Sequence, residues 1–432
     1  MFRKITAELE AWRESPYRKP LILQGARQVG KTYSVLEFAR NHYDNVVHIN
    51  FEFNKKARDI FEKTIDPEEV IPMLAHLSKQ AITKGRTLLF LDEIQRCPPA
   101  LTSLKYFNEF HNDYHIIVAG SLLGVAVAYD EYSFPVGKVS TKTLNPMDFE
   151  EFLTAAGESE LTGKIRECFE NNTPMGKYYH DVLLRHYRNY LIVGGMPACV
   201  TVFHETQDLN QIRETQNAIL RDYLNDMSKY NNENEIKKTR LTYSGISAQL
   251  SKKNTRFQYK LIKKGGRASE LENAIEWLVL SGIVSRVYHV SVVKKPLEDY
   301  KNIDSFKIFF SDVGLLCANK NIVPEDILYE SPDLNEFKGG MTENYVCQQL
   351  TTSKHILYTW HSEGIAEIDF IYQDAKGKLI PVEVKSADNT QAKSLAAYIK
   401  KYKPEYAIKL STKNFGFENG IKTVPLYATF CI

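Results

Sequence analysis

Gly25-Ala26-Arg27-Gln28-Val29-Gly30-Lys31-Thr32 decides how this chain is read. It follows the apolar run Leu21-Ile22-Leu23 and precedes a stretch with helical character over residues 34–43. The pattern G-x-x-x-x-G-K-T therefore sits between a strand and a helix, the context its chemistry needs. The glycines let the loop wrap a polyphosphate, with backbone N–H groups pointing inward at the positive end of a helix dipole. Lys31 can reach the β- and γ-phosphates, and the Thr32 hydroxyl can ligate Mg²⁺. The nucleotide-binding set is Gly25, Gln28, Gly30, Lys31 and Thr32. A turn that merely joins strand to helix is the alternative, and the Lys-Thr pair in register argues against it.

Working outward, residues 1–18 read as a short amphipathic helix and residues 46–51 as a strand rich in β-branched side chains. Residues 68–83 have helical spacing. Thr87-Leu88-Leu89-Phe90-Leu91 is a continuous apolar run, as suits a central parallel strand, and it ends in Asp92-Glu93. Carboxylates at a strand's carboxyl end stand where α/β sheets place ligands. Asp92 is the expected Mg²⁺ partner, and Glu93 the group that polarises the attacking water. A further buried strand, residues 115–120, ends in Ser121, whose hydroxyl could sense the γ-phosphate. Strands alternating with helices predict a parallel α/β sheet.

Gly-Ala-Arg-Gln-Val-Gly-Lys-Thr, Leu-Asp-Glu-Ile-Gln-Arg-Cys-Pro (91–98) and Ala-Gly-Ser-Leu-Leu-Gly (119–124) together resemble the AAA+-type ATPases of bacteria and archaea. The closer resemblance is to the archaeal-type ATPase family, whose members carry a C-terminal domain of the PD-(D/E)XK nuclease superfamily. Ser-Phe-Pro-Val-Gly-Lys-Val (133–139), Asn-Pro-Met-Asp-Phe-Glu-Glu-Phe (145–152) and Tyr-Leu-Ile-Val-Gly-Gly-Met-Pro (190–197) share it. The resemblance implies ATP as the nucleotide, a helical lid and a homo-oligomeric ring. Relatives often have Gly-Arg where this chain has Gly137-Lys138, and lysine cannot supply a bidentate fork, so the arginine finger is unassigned.

From about Ile236 the composition shifts. Residues 251–267 hold seven basic residues and no acid, and residues 268–280 have helical spacing. Two strand-like runs follow, residues 283–293 and 306–310. Helix, basic turn, helix, hairpin is the order of a winged helix. Basic residues interleaved with Phe257 and Tyr259 suit phosphate contact. A protein-contact adaptor has the same pattern, and Glu270, Glu272 and Glu276 oppose DNA.

The last hundred residues carry a second set. Ala366-Glu367-Ile368-Asp369-Phe370-Ile371-Tyr372 and Leu379-Ile380-Pro381-Val382-Glu383-Val384-Lys385-Ser386 read as two arms of a β-hairpin. Period two puts Glu383 and Lys385 on one face, with Asp369 across from Glu383. Asp369, Glu383 and the Val384 carbonyl suit a hard cation, and Lys385 could orient or deprotonate a water. Glu343, on a preceding helix, is a further ligand. These residues resemble the D…E-x-K signature of the PD-(D/E)XK superfamily. A fold can also keep such ligands and only grip DNA.

The expected organisation is a P-loop parallel-sheet ATPase core (1–155), helical lid (156–232), winged-helix-like region (233–320) and α/β PD-(D/E)XK nuclease-like domain (333–432). The 432 residues are 43% hydrophobic and 25% charged, with a formal net charge of +2 that implies no partner by itself. No apolar run is long enough to cross a bilayer, and no apolar h-region follows Met1, so the expected location is cytoplasmic, with no membrane partner. The six cysteines are scattered without a C-x-x-C pair. The chain thus reads as a Mg²⁺-dependent ATPase acting on DNA. Its catalytic residues are Lys31, Glu93, Ser121 and Lys385; its metal ligands are Thr32, Asp92, Glu343, Asp369 and Glu383, with Mn²⁺ an alternative at the second site. The other reading is an ATP-driven switch or scaffold that binds DNA or protein without cleaving.

Overall fold

The computed structural model describes residues 1–121, 134–228, 233–250, 256–362, 366–386 and 393–432. Residues 122–124 and Ser133 of the motifs quoted above, and residues 251–255 of the basic stretch, lie outside them. The chain divides into two units, residues 1–145 with 280–282 and residues 146–279 with 283–432.

The first unit is built on five parallel strands: β1 (Leu21–Gln24), β2 (Asn45–Asn50), β3 (Thr87–Asp92), β4 (His115–Gly120) and β5 (Ser140–Thr143), in the order β2-β3-β4-β1-β5. β3 and β4 are buried at every residue, which is why they read as unbroken apolar runs. The edge strand β5 is half-exposed and polar. Helices Lys31–His42, Pro67–Ser78 and Pro98–Phe110 connect the strands; the helix expected over 68–83 stops at Ser78, where Lys79 turns left-handed at φ 56°. Ile5, Leu9 and Trp12 form the buried stripe of the first helix, Ile5–Glu14. Because all five strands run the same way, the ends of β1, β3 and β4 emerge on one edge.

The second unit combines a set of helices with an eight-stranded mixed sheet. Its strands are β6 (Val284–Val290), β7 (Lys301–Phe310), β8 (Tyr358–His361), β9 (Glu367–Gln373), β10 (Leu379–Val384), β11 (Ala407–Ser411), β12 (Gly416–Glu418) and β13 (Ile421–Pro425). The order is β12-β13-β11-β10-β9-β8-β6-β7. The β9–β10 hairpin is antiparallel, with Val382 opposite Phe370, a register that brings Asp369 opposite Glu383 as the alternation predicts. The hairpin assigned from sequence to the winged-helix-like region, β6–β7, belongs to this same sheet through its parallel pairing with β8.

The motifs at 145–152 and 190–197 meet Asp312 and Gln348 in the core of this unit. Asp312 is fully buried; its Oδ2 accepts from the Gly195 N–H at 2.6 Å and its Oδ1 from the Leu315 N–H at 2.8 Å, capping helix Val313–Asn319. Gln348 donates to Asp312 at 3.3 Å and to the Tyr190 hydroxyl at 2.9 Å, and Tyr190 donates to the Met147 carbonyl. A Cβ on Gly195 would stand 1.9 Å from the Met147 oxygen, so the Gly194-Gly195 break is a requirement of close approach. Burial pushes the Asp312 carboxyl up to about 6 despite these N–H donors. Cys97, Cys199, Cys317 and Cys347 are buried, and all six cysteines are free thiols. Among the described residues no helix is long and apolar enough to cross a membrane.

Candidate functional site

In the first unit the phosphate loop is held in a conformation that few residues tolerate. Gly25 has φ 148°, Gln28 φ 67° and Gly30 φ 94°, and helix Lys31–His42 starts directly after Gly30. A Cβ on Gly25 would lie 2.2 Å from the Leu144 oxygen. Arg3, buried just ahead of the first helix, pins the loop: its guanidinium donates to the Val29 carbonyl and to the Asn145 carbonyl, each at 2.7 Å. Lys31 Nζ donates to the Gly25 and Ala26 carbonyls at 2.8 Å each.

Thr32 Oγ1 donates to Asp92 Oδ2 at 2.8 Å, so the two residues expected to share a cation are already neighbours. Asp92 Oδ1 accepts from the Glu93 N–H at 3.0 Å, and His48 Nε2 stands 3.4 Å from Asp92 Oδ2. Glu93 follows in a left-handed turn at φ 52°, with its carboxylate accepting from Gln95 Nε2 at 2.5 Å. β4 lies between β1 and β3, and the Gln24–Gly120 pairing puts the buried Ser121 one residue beyond it, on the same sheet edge. Arg3 and His48 belong to no motif, and Gln95, inside the motif 91–98, was given no role there.

In the second unit Glu343, Asp369, Glu383 and Lys385 line one cavity of about 430 Å³. Glu343 projects from helix Asn335–Thr352; Asn344, next to it, clamps that helix to β7 by accepting from the Phe310 N–H at 2.7 Å and donating to the Phe310 carbonyl at 3.0 Å. Gly339 and Gly340 lie one turn before Glu343, and a Cβ on Gly340 would stand 1.9 Å from the Leu250 oxygen. The Asp369 Oδ2 accepts from the Val384 N–H at 2.7 Å, which fixes the carboxyl across the hairpin. Burial, then the nearby Glu343, pushes the Asp369 carboxyl well above its ordinary range. Glu383 is 2% exposed; it pairs with Lys385 at 2.6 Å and leaves Oε2 buried without a hydrogen-bond partner.

Two residues of this cavity, Lys307 and Glu367, were given no role in the sequence reading. Lys307 on β7 places its ammonium 3.1 Å from Glu343 Oε2 and 2.8 Å from Glu367 Oε1. Those two carboxylates and Asp369 raise its affinity for the proton against the effect of burial. Among the described residues no three His, Cys, Asp or Glu side chains stand close enough to enclose a metal ion, so the ligand set expected from Glu343, Asp369 and Glu383 is gathered in one cavity but not closed.

The basic stretch divides its roles. Phe257 faces inward, its ring 5.5 Å from that of Phe306, and is not available to stack on a base. Arg256 is exposed and lines the carboxylate cavity. The acids on helix Ala268–Leu280 are met internally: Glu270 by Lys263 at 3.2 Å, and Glu272 and Glu276 by the buried Arg286 at 2.6 and 3.2 Å. Their repulsion of phosphate is correspondingly weakened.

Residues 17–153 match the family profile described as AAA domain. Residues 184–326 and 338–429 match two families described as Domain of unknown function (DUF8612) and Domain of unknown function (DUF4143). No curated protein matches the chain. Similar solved structures include the Walker-type ATPase PABY2304 of Pyrococcus abyssi, at 14% identity over 74% of this chain and 95% of that one, with TM-score 0.46. The ORC2 protein of Aeropyrum pernix is similar at 11% identity over 76% and 95%, with TM-score 0.39. The RuvB Holliday junction branch migration motor of Thermotoga maritima follows at 15% over 66% and 87%, with TM-score 0.28. The AAA match and the parallel sheet with its phosphate loop together make residues 17–153 a P-loop ATPase domain that binds nucleotide.

Proposed function

We propose that the protein is a Mg²⁺-dependent cytoplasmic ATPase that acts on DNA, coupling ATP hydrolysis to remodelling or cutting it. The observation that carries the DNA half of this reading is the convergence of Glu343, Asp369, Glu383 and Lys385 on one cavity, with a buried Glu383 oxygen left unpartnered. Buried polar atoms are almost always satisfied, so an orphaned carboxylate oxygen fits a ligand supplied from outside. The donor set is all oxygen, as a hard cation such as Mg²⁺ or Mn²⁺ prefers. A bound divalent ion supplies Lewis-acid stabilisation of phosphoryl oxygens.

The chain's own residues supply the rest. In the ATPase domain Lys31 holds the β- and γ-phosphates, Thr32 and Asp92 offer the oxygen pair for the cation, and Glu93 takes a proton from the attacking water, with Ser121 beside it. In the cavity Asp369 and Glu383 hold the cation, Glu343 positions water, and Lys385 offsets charge that builds on the phosphodiester in the transition state. Steady-state ATP hydrolysis with and without DNA tests the coupling. Turnover should rise on adding DNA and vanish in Glu93→Gln; turnover indifferent to DNA would count against coupling.

A further inference from the structure

We infer that Lys307 is a built-in second cation of the carboxylate cavity, so that the site accepts a single divalent ion, at Asp369 and Glu383, when it takes a phosphodiester. The inference rests on the cavity being a metal-dependent phosphodiester site, as proposed above, and goes beyond it in assigning the number of ions and the residue that sets it.

Sites that cut phosphodiesters with two divalent ions hold them roughly 3.5–4 Å apart, clamped by shared carboxylates. Five carboxylates line this cavity: Glu336, which is exposed, and Glu343, Glu367, Asp369 and Glu383. Two of them, Glu343 and Glu367, share one lysine. The Lys307 ammonium stands 2.8 Å from Glu367 and 3.1 Å from Glu343, contacts a second divalent ion would need. The other pair, Asp369 and Glu383, stands opposite across the β9–β10 hairpin. Two buried carboxylate oxygens here make no hydrogen bond: Glu367 Oε1 has the Lys307 ammonium at 2.8 Å, whereas Glu383 pairs with Lys385 through Oε1 and leaves Oε2 open to a ligand.

Lys307 is not placed to withdraw. It is 9% exposed, sits mid-strand between the buried Phe306 and Ile308, and its strand is tied to the Glu343 helix by both bonds of Asn344. An ammonium so held meets any ion approaching Glu343 and Glu367 with direct repulsion in a poorly solvated space, where charges are weakly screened. It also supplies what the second ion would have supplied, a positive charge fixed beside the reacting phosphate. Lys385, paired with Glu383, lines the same cavity.

The test is Mn²⁺ binding by the full chain without nucleotide, followed by calorimetry and electron paramagnetic resonance. The cavity's ions are counted as those lost in Glu383→Gln, which separates them from any ion at Thr32 and Asp92. The wild type should bind one such ion with an uncoupled spectrum. Lys307→Gln should bind two, with the broadening of a coupled pair, and Lys307→Arg should return to one. A coupled pair in the wild type would overturn the inference, whether or not the variants fold. So would a folded Lys307→Gln that still binds one ion. A wild type that loses no Mn²⁺ in Glu383→Gln would sink the metal-site reading itself, an outcome distinct from a miscounted ion.

Discussion

Thr32 Oγ1 donates to Asp92 Oδ2 across 2.8 Å, joining the phosphate loop to the end of β3. The hydroxyl orients the carboxylate and, under the proposed function, would also offer a cation ligand. Thr32→Val keeps the shape and removes both, so ATP turnover should fall by about 100-fold or more, on the scale of losing one preorganised polar group. Thr32→Ser should retain most activity. Parallel hydrolysis assays of the two variants decide it.

Arg3 supports the loop from a segment with no motif, through the Val29 and Asn145 carbonyls. Arg3→Met preserves bulk but leaves those acceptors without their charged donor, a loss of about 2–4 kcal/mol. Thermal unfolding should shift down, and ATP should bind more weakly although no ligand atom was touched. Unchanged ATP affinity would show that the loop holds its shape without Arg3.

Asp312 makes stability depend on pH in a direction opposite to most carboxylates. Burial pushes it up to about 6, above the ordinary aspartate value of 3.8, so between these limits the folded state holds a proton that the unfolded state has lost. The stability it contributes is therefore full below about pH 4 and is lost as pH rises through 6, amounting to about 3 kcal/mol. The stability difference between wild type and Asp312→Asn should move by that order across this window. A difference flat in pH would contradict the burial argument.

Neighbouring glycines of one helix should respond with opposite signs. A Cβ on Gly339 would have Ser386 Oγ, at 4.0 Å, as its nearest neighbour, whereas one on Gly340 would stand 1.9 Å from the Leu250 oxygen. Gly339→Ala should stabilise by up to about 1 kcal/mol through helix propensity. Gly340→Ala should destabilise by about 1–3 kcal/mol, because the helix must move off Leu250. Denaturant unfolding of both variants reads the contrast.

The legible parts of the molecule were those whose chemistry is local in sequence. The phosphate loop announces itself in eight residues, β3 and β4 in unbroken apolar runs, and the Asp369–Glu383 pairing in strict alternation either side of a turn. What stayed hidden depends on chain crossings that no window contains. Lys307 reads as one more polar residue of a strand, and only the joining of β6–β7 to the eight-stranded sheet carries it to Glu343, 36 residues away. Asp312 reaches Gly195 across 117 residues, so Gly194-Gly195 looked like a bare chain break. The inward placement of Phe257 stayed hidden for the same reason: its packing against Phe306 depends on a hairpin beyond the helix.

The most direct measurement is cleavage of labelled linear and branched DNA with Mg²⁺ and ATP, comparing wild type, Lys385→Ala and Glu93→Gln. The account predicts cutting by the wild type, its loss in Lys385→Ala, and a change in Glu93→Gln that reports the coupling to hydrolysis. No cutting by any of the three with Mg²⁺ or Mn²⁺, or equal cutting by wild type and Lys385→Ala, would contradict the claim that this cavity cleaves DNA.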